Sequence, residues 1–136
     1  MPLAREQLRR QGVAQERLVF VDDAAVGSTV NGQRVLSYAD FVAEPASARH
    51  VVLAIANSAV RERLAARCAA DGVSAWTVAA GNVVVMDDVV IGEGAALSPF
   101  VTLTSNIRIG RFFHANLYSY VEHDCVIGDF VTFAPG

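Results

Sequence analysis

The sequence predicts an α/β part over residues 1–74, followed by a parallel β-helix, a hexapeptide-repeat solenoid, over residues 75–136. Two observations support this fold class. Helical and strand patterns alternate up to about residue 74, as in a small α/β unit. From about Trp76 the helical period disappears, apolar residues recur at every sixth position, and the pair Ile-Gly recurs at every 18th.

The first elements are short and separated by turn residues. "AREQLRRQ" is predicted as a helix that ends at Gly12, and "RLVFVDD" (Arg17–Asp23) as an apolar strand that runs into an acidic turn. "GSTVNGQRVL" is predicted as a loop, with a turn signal at the Asn-Gly pair of residues 31–32. An open α/β sheet binds ligands beyond the carboxyl ends of its strands, which makes Asp22 and Asp23 candidates for contact with a ligand. A solvated turn is the alternative.

The next elements have recognisable helix caps. Ser37 and Asp40 fit an approximate capping box for a short helix. "HVVLAIA" (His50–Ala56) is a continuous apolar run typical of a strand buried on both faces. Asn57 can cap the following helix, whose apolar stripe is predicted at every fourth residue: Val60, Leu64 and Cys68.

The six-residue period predicts a triangular solenoid. Stepping by six from residue 79 gives ten apolar residues in a row: Ala79, Val85, Ile91, Leu97, Leu103, Ile109, Ala115, Val121, Ile127 and Phe133. A second row, offset by two, is broken only by Ser119: Val83, Val89, Ala95, Val101, Ile107, Phe113, Ser119, Cys125 and Val131. Each six supplies a short strand and a corner, so that three of them make one coil, which stacks about 4.8 Å above the last. An ordinary sheet is the alternative, but it does not keep so strict a register.

The segment "YVEHDCVIGDF" has a histidine at a corner of this solenoid. Val121 and Cys125 point inward, which leaves His123 and Asp124 between two strands, where side chains project from an edge toward a ligand or a neighbouring subunit. His123 beside a carboxylate is a candidate general base, since its ordinary pKa is near 6.5. A solvated histidine with one hydrogen bond is the alternative. His114 is expected to face outward from a flat side, as a surface or intersubunit residue.

Composition disfavours several function classes. The net charge is −3 and the arginines are scattered, which disfavours a nucleic-acid partner. No apolar run approaches the roughly 20 residues of a membrane span, and the start of the sequence does not resemble a signal peptide, so the expected location is the cytoplasm. Cys68 and Cys125 form no CxxC pair, and the sequence offers no basis for zinc or another metal.

"NLYSYVEHDCVIGDFVTFAPG" resembles the left-handed β-helix sugar acetyltransferases of the sialic acid O-acetyltransferase and bacillosamine or perosamine N-acetyltransferase group. Their members carry a similar Asn followed by an acidic-His-acidic-Cys-x-Ile-Gly run. "FVDDAAVGSTVNGQRVLSYADF" and "VVLAIAN" are similar to earlier segments of the same group. The resemblance therefore covers most of the chain.

The resemblance implies an acetyl-CoA-dependent transfer to a sugar or nucleotide-linked amino sugar in surface-glycan synthesis, without a metal. His123 would be the base, Asp124 would orient it, and Asn116 would line the acceptor pocket. Asp22 and Asp23 resemble the nucleotide-sugar contact region, in an acceptor-binding domain over residues 1–74. The resemblance also implies a homotrimer with active sites between subunits. It identifies no coenzyme A-binding residue in this chain and does not separate N- from O-acetylation.

Several departures from the group leave other functions open. The Gly-x-x-Gly-His loop that opens most members is absent, Ala56 replaces a glycine, and Thr132 stands where many carry a second histidine. Residues 76–136 make about 3.4 coils, fewer than in relatives, so the chain is expected to be truncated at both ends. A catalytically silent, trimerising β-helix module is the main alternative. An acyltransferase with a non-sugar acceptor is another.

Overall fold

The computed structural model describes residues 2–136. The helices are α1 (Pro2–Arg10), α2 (Tyr38–Ala43) and α3 (Ser58–Ala70), with a 3₁₀ turn at Gln15–Arg17. Five strands belong to the N-terminal part: β1 (Phe20–Val21), β2 (Thr29–Val30), β3 (Gln33–Leu36), β4 (His50–Val51) and β5 (Ser74–Ala75). None of the helices in the described range combines the length and apolar character that a membrane crossing requires.

The remaining ten strands are short and follow one another at six-residue intervals. They are β6 (Val78–Ala79), β7 (Val84–Val85), β8 (Val89–Ile91), β9 (Ala96–Leu97), β10 (Thr102–Leu103), β11 (Ile107–Ile109), β12 (His114–Ala115), β13 (Tyr120–Val121), β14 (Val126–Ile127) and β15 (Thr132–Phe133).

The segment predicted as a loop is a β-hairpin. β3 pairs parallel with β1 and antiparallel with β2. Asn31 and Gly32 join β2 to β3 with φ of +50° and +77°, the conformation that an Asn-Gly pair adopts in a two-residue hairpin turn. The prediction of a loop was therefore wrong, because the flanking residues pair instead of remaining irregular.

The apolar run His50–Ala56 forms a much shorter strand than predicted. Only β4 pairs, in parallel with β5, and this pair is separate from the β1–β3–β2 sheet. Leu53 is buried, but Ile55 is exposed, so the expectation of a strand buried on both faces was wrong. Because β5 ends at Ala75 and the chain then enters the β-helix, the second half of the run has no neighbouring strand in the described part of the chain.

Both predicted helix caps are present, but the buried face of α3 differs from the prediction. The Ser37 hydroxyl accepts from the Asp40 amide, and the Asn57 side chain accepts from the Val60 amide, each at 3.0 Å. The predicted stripe of Val60, Leu64 and Cys68 is only partly right, since Val60 and Leu64 are half-buried. The helix instead buries the face with Arg61, Ala65 and Cys68.

The C-terminal part winds as a three-sided parallel β-helix. Its sides are the parallel sheets β6–β9–β12–β15, β7–β10–β13 and β8–β11–β14. Ile109 is paired with Ile91 on one side and Ile127 on the other. The three Ile-Gly pairs therefore stack in one column, and the 18-residue period is confirmed as one coil.

The interior of the β-helix is filled by members of both predicted rows, although Val85, in the first coil, is exposed. Eight of their members form the buried cluster: Leu97, Val101, Leu103, Ile107, Ile109, Phe113, Ala115 and Val121. Ser119, which breaks the second row, is also buried, and its hydroxyl donates to the Asn116 carbonyl at 2.7 Å. The polar exception is thus satisfied within its own corner.

A left-handed backbone conformation recurs at every sixth residue of the solenoid. The residues with positive φ are Asp88, Gly94, Phe100, Asn106, Phe112, Tyr118, Asp124 and Phe130. They form three columns, one at each edge of the prism. Asp and Asn tolerate this conformation best among non-glycine residues, and they fill one column. Aromatic rings stack in the other two, with centroids 4.8 Å apart for Phe100–Tyr118 and 5.2 Å apart for Phe112–Phe130.

Two of the Ile-Gly pairs, at Gly92 and Gly110, require glycine for space between coils. A Cβ added to Gly110 would lie 2.6 Å from the Asp129 amide nitrogen and 2.7 Å from the Gly128 carbonyl carbon. We expect Gly110→Ala to lower the free energy of unfolding by about 2 kcal/mol, because the backbone of the next coil must shift. Urea denaturation of the 136-residue chain measures this change.

Gly128→Ala is the matched control, because a Cβ at Gly128 meets no atom of residues 2–136 within 4 Å. It is expected to leave stability unchanged or slightly raised. Equal losses in the two variants would show that glycine is needed here for a reason other than the spacing of the coils.

Candidate active site

The corner between β13 and β14 exposes His123. Val121 fills the interior before the corner, Asp124 makes the turn with φ of +60°, and Cys125 packs half-buried against the core after it. The His123 side chain is 70% exposed. The structure thus places His123 and Asp124 at an edge of the prism, on a backbone held by the ladders of two sheets.

His123 and Asp124 are joined by a short hydrogen bond. His123 Nδ1 lies 2.7 Å from Asp124 Oδ2. Hydrogen bonds from His123 and Asn106 lower the pKa of the Asp124 carboxyl, so the carboxylate accepts and the imidazole Nδ1–H donates. The other ring nitrogen, Nε2, then carries the lone pair of the neutral ring and can accept a proton.

The acidic neighbours make this imidazole more basic. The hydrogen bond that His123 donates to Asp124, together with the charge of that carboxylate, raises the pKa of His123 above its usual value of 6.5, and the charge of Glu122 adds to the effect. The neutral, proton-accepting ring therefore becomes dominant only as pH rises through this raised pKa. Within residues 2–136 no three His, Cys, Asp or Glu side chains are grouped as a metal site.

Asn116 lies at the corner before that of His123, separated from it by β13. Its side-chain amide donates to the Phe133 carbonyl of the next coil at 2.8 Å. The structure therefore gives Asn116 a bond between coils and does not bring it to the corner of His123 and Asp124.

Asp22 and Asp23 lie at the carboxyl end of β1, beside the end of β3. One oxygen of Asp22 accepts from the Ala24 amide at 2.9 Å, and one oxygen of Asp23 accepts from the Tyr38 amide at 2.7 Å. Among the described residues, the second oxygen of each carboxylate has no hydrogen-bond partner. No hydrogen bond or ion pair joins these aspartates to the His123 corner in residues 2–136.

The N-terminal part is attached to a different corner of the prism. Phe112 and Phe130, stacked at the corner between β11 and β12, pack in one cluster with Tyr38, Leu53 and Cys68. This corner is one full side, β8–β11–β14, away from the corner of His123. Within one chain, the two groups of predicted site residues therefore lie at separate places.

Arg61 of α3 is fully buried at this junction, which the sequence did not predict. Its guanidinium donates to the carbonyls of Ile55 and Phe112, at 2.7 and 3.2 Å, and also to Phe130. It makes no contact with a carboxylate among the described residues. Burial lowers its pKa, although arginine remains charged in proteins.

The expectation that His114 faces outward as a surface or intersubunit residue was only partly right, since the residue is half-buried within this chain. Its Nε2 is buried and has no hydrogen-bond partner within residues 2–136. Burial and the nearby charge of Arg61 lower the pKa of His114 to about 4, although a hydrogen bond with the backbone of Leu53 acts in the opposite direction. The N-terminal part covers this side of the solenoid, so a position that points outward from the β-helix is half-buried.

His114 is expected to lower the free energy of unfolding as the pH falls. His114 binds a proton with its ordinary pKa of 6.5 in the unfolded chain, but with a pKa of only about 4 in the folded chain. The contribution of the neutral His114 ring to the free energy of unfolding is therefore complete above pH 6.5 and is lost as pH falls toward 4. We expect wild-type urea midpoints to decrease between pH 6.5 and 4.5, and His114→Gln to decrease less. His50→Gln, at an exposed position, is the control and should follow wild type. Parallel curves for wild type and His114→Gln would contradict this role.

Known proteins resemble the chain along its whole length. No family model matches the sequence. The chain is 47% identical, over all 136 residues, to a GDP-perosamine N-acetyltransferase of Escherichia coli O157:H7, of which it spans 62%. It matches the structure of WeeI from Acinetobacter baumannii AYE with a TM-score of 0.96 and 55% identity, over 100% of this chain and 63% of that one.

A more distant structure gives the same result. The acetyltransferase domain of PglB from Neisseria gonorrhoeae FA1090 matches with a TM-score of 0.78 and 25% identity, over 99% of this chain and 64% of that one. The predicted fold, an α/β part followed by a left-handed parallel β-helix, is confirmed, and so is the resemblance to sugar acetyltransferases. The chain spans less than two thirds of the length of each of these proteins.

Proposed function

We propose that this chain carries the catalytic base of an acetyl-CoA-dependent N-acetyltransferase for a nucleotide-linked amino sugar, with GDP-perosamine as the first acceptor to test. The observation that carries the proposal is the His123–Asp124 pair at a corner of the β-helix, with no hydrogen-bond partner for Nε2 among the described residues. The 47% identity to a GDP-perosamine N-acetyltransferase supports the choice of acceptor and of N-acetylation.

His123 acts as the general base in this proposal. The sugar amine attacks the thioester carbonyl carbon of acetyl-CoA while His123 Nε2 takes a proton from the amine nitrogen. The C–N bond forms, the C–S bond breaks, and the imidazolium returns the proton to the departing coenzyme A thiolate. Asp124 holds the Nδ1–H tautomer throughout and stabilises the imidazolium.

The acceptor-binding role belongs to residues 1–74 in this proposal. Asp22 and Asp23 each keep one carboxylate oxygen without a protein partner in the described range, at the carboxyl end of β1. Such oxygens accept hydrogen bonds from ribose hydroxyls or from a base N–H. Asn116 is proposed to line the acceptor pocket through its amide oxygen, since its nitrogen is used by Phe133.

The active form is proposed to be a homotrimer with the site between subunits. In one chain the acceptor-binding part is attached at the Phe112–Phe130 corner, whereas His123 lies at another corner. The side formed by β7, β10 and β13 is apolar and exposed at Val84 and Tyr120, and it runs from the stacked Phe100 and Tyr118 to His123. A neighbouring subunit packed on this side would bring its own N-terminal part toward His123.

We place the reaction in the cytoplasm, in the synthesis of surface glycans, since both proposed substrates are soluble metabolites. This location and pathway accord with the resemblance to the sugar acetyltransferase group and with the acceptor of the Escherichia coli relative.

Release of coenzyme A thiol from acetyl-CoA tests the function. We expect thiol release to depend on GDP-perosamine, and the product to gain one acetyl group on nitrogen by mass spectrometry. A GDP-sugar with a hydroxyl in place of the amine is the matched control and should support no release. A protein that assembles into trimers but releases no thiol with either sugar, or with other amino-sugar nucleotides, would be a silent assembly module instead.

A further inference from the structure

The corner that carries His123 contains a polar column that spans three coils. Asp88, Asn106 and Asp124 follow one another at 18-residue intervals and share the left-handed conformation. The Asn106 side-chain amide donates to Asp124 Oδ1 at 3.1 Å, and Asp124 Oδ2 bonds His123 Nδ1 at 2.7 Å. The Asp124 carboxylate is therefore held by one oxygen and holds the imidazole with the other.

We propose that Asn106 is a positioning residue that fixes the orientation and tautomer of His123 through Asp124. This inference rests on the proposed function for its kinetic consequence, but its structural consequence can be measured without any substrate. Asn106 would not touch either substrate.

The need for positioning follows from exposure. The side chains of His123 and Asp124 are 70% and 65% exposed, so packing does not fix their rotamers. Asp124 is the sole hydrogen-bond partner of the His123 ring within residues 2–136. Without a second bond to Asp124, its carboxylate would rotate in solvent, and the imidazole would lose its only anchor.

Asn106 itself is well placed to act as a fixed donor. Its backbone amide donates to the Asp87 carbonyl at 3.1 Å, and the Asp124 amide donates to the Ser105 carbonyl at 3.0 Å, so the coils below and above are held in register. A neutral amide is also the appropriate group between two acidic positions. A carboxylate at residue 106 would repel Asp124 and favour its protonation.

The lowest member of the column does not compete for Asn106. Both oxygens of Asp88 accept from Arg108 Nη2, each at 3.1 Å, and the Asp88 carbonyl accepts from Arg108 Nη1 at 2.9 Å. Because Asp88 is paired with Arg108, the Asn106 amide is directed to Asp124 alone among the charged groups of this corner.

Asn106→Gly is the most informative variant, since glycine keeps the positive φ without strain and removes the side chain that donates to Asp124. Nitrogen NMR of the ring of His123, in the purified protein without substrate, reports the tautomer of the neutral imidazole. We expect mostly Nδ1–H in wild type, and a shift toward Nε2–H in Asn106→Gly and in Asn106→Asp. Asp88→Asn, at the same corner one coil lower, is the matched control and should leave the tautomer of His123 unchanged.

In the acetyl-transfer assay, Asn106→Gly is expected to lower kcat roughly tenfold or more with KM within about twofold, as for a misplaced catalytic group. Circular dichroism verifies that the β-helix is intact, and Asn106→Asp gives a second, nearly isosteric test. An unchanged tautomer in both variants overturns the inference, whatever the rates. If wild type shows a fixed Nδ1–H tautomer that the variants lose, but has no activity, the proposed function fails and the positioning contact stands.

Discussion

His123→Ala is expected to lower kcat/KM for acetyl transfer to GDP-perosamine by roughly 100- to 10,000-fold, the range that a general base supplies. The reason is that His123 Nε2 is the acceptor proposed for the amine proton, and its partner Asp124 cannot reach the same position. The thiol-release assay measures the loss. The fold should be unaffected, because the side chain is 70% exposed and makes one hydrogen bond.

The matched control is His50→Ala, since His50 is also exposed but lies at the start of β4 in the N-terminal part. It should retain the wild-type rate.

The wild-type rate should itself increase with pH through the raised pKa of His123, because only the neutral imidazole accepts a proton. A His123→Ala enzyme with wild-type turnover and the same pH dependence would show that another group is the base.

Arg61→Met is expected to cause the largest loss of stability, about 3–5 kcal/mol of the free energy of unfolding. Arg61 is 0% exposed and joins the two parts of the chain. On one part it donates to Ile55 and Ala56, and on the other to Phe112, Phe130 and Val131. Methionine fills similar space but leaves these buried carbonyls without donors, each at a substantial cost.

Urea denaturation, monitored by circular dichroism, measures this loss. Arg63→Met is the control, because Arg63 lies on the exposed face of the same helix and its replacement should change stability by about 0.5 kcal/mol or less. If Arg61→Met unfolds at the same urea concentration as Arg63→Met, the guanidinium is not what fastens the N-terminal part to the β-helix.

The β-helix could be predicted from the sequence because its contacts repeat along the chain. Each residue of the Ile109 column packs on the residue 18 positions away, so the same requirement recurs in the sequence as a period. The corner position of His123 followed from counting six from Val121 to Ile127. Asn106 could have been found by the same count, since it stands 18 residues before Asp124.

The junction between the two parts could not be predicted in this way. Arg61 and His114 are polar residues that a helix or a strand would normally expose. The burial of Arg61 and of His114 Nε2 depends on which corner and side the N-terminal part covers. That contact is made once and leaves no period. The β2–β3 hairpin was missed for a related reason, since strands of two and four residues are too short to show a clear alternation.

The distance between the acceptor amine and His123 Nε2 tests the central claim most directly. It can be measured in an experimental structure of the assembled protein with coenzyme A and GDP-perosamine. The expected result is an amine nitrogen within about 3.2 Å of Nε2, or joined to it by one water, with the GDP moiety held by residues 1–74 of a neighbouring subunit. An amine bound beyond that reach, at a site that leaves His123 in open solvent, would contradict the assignment of the base.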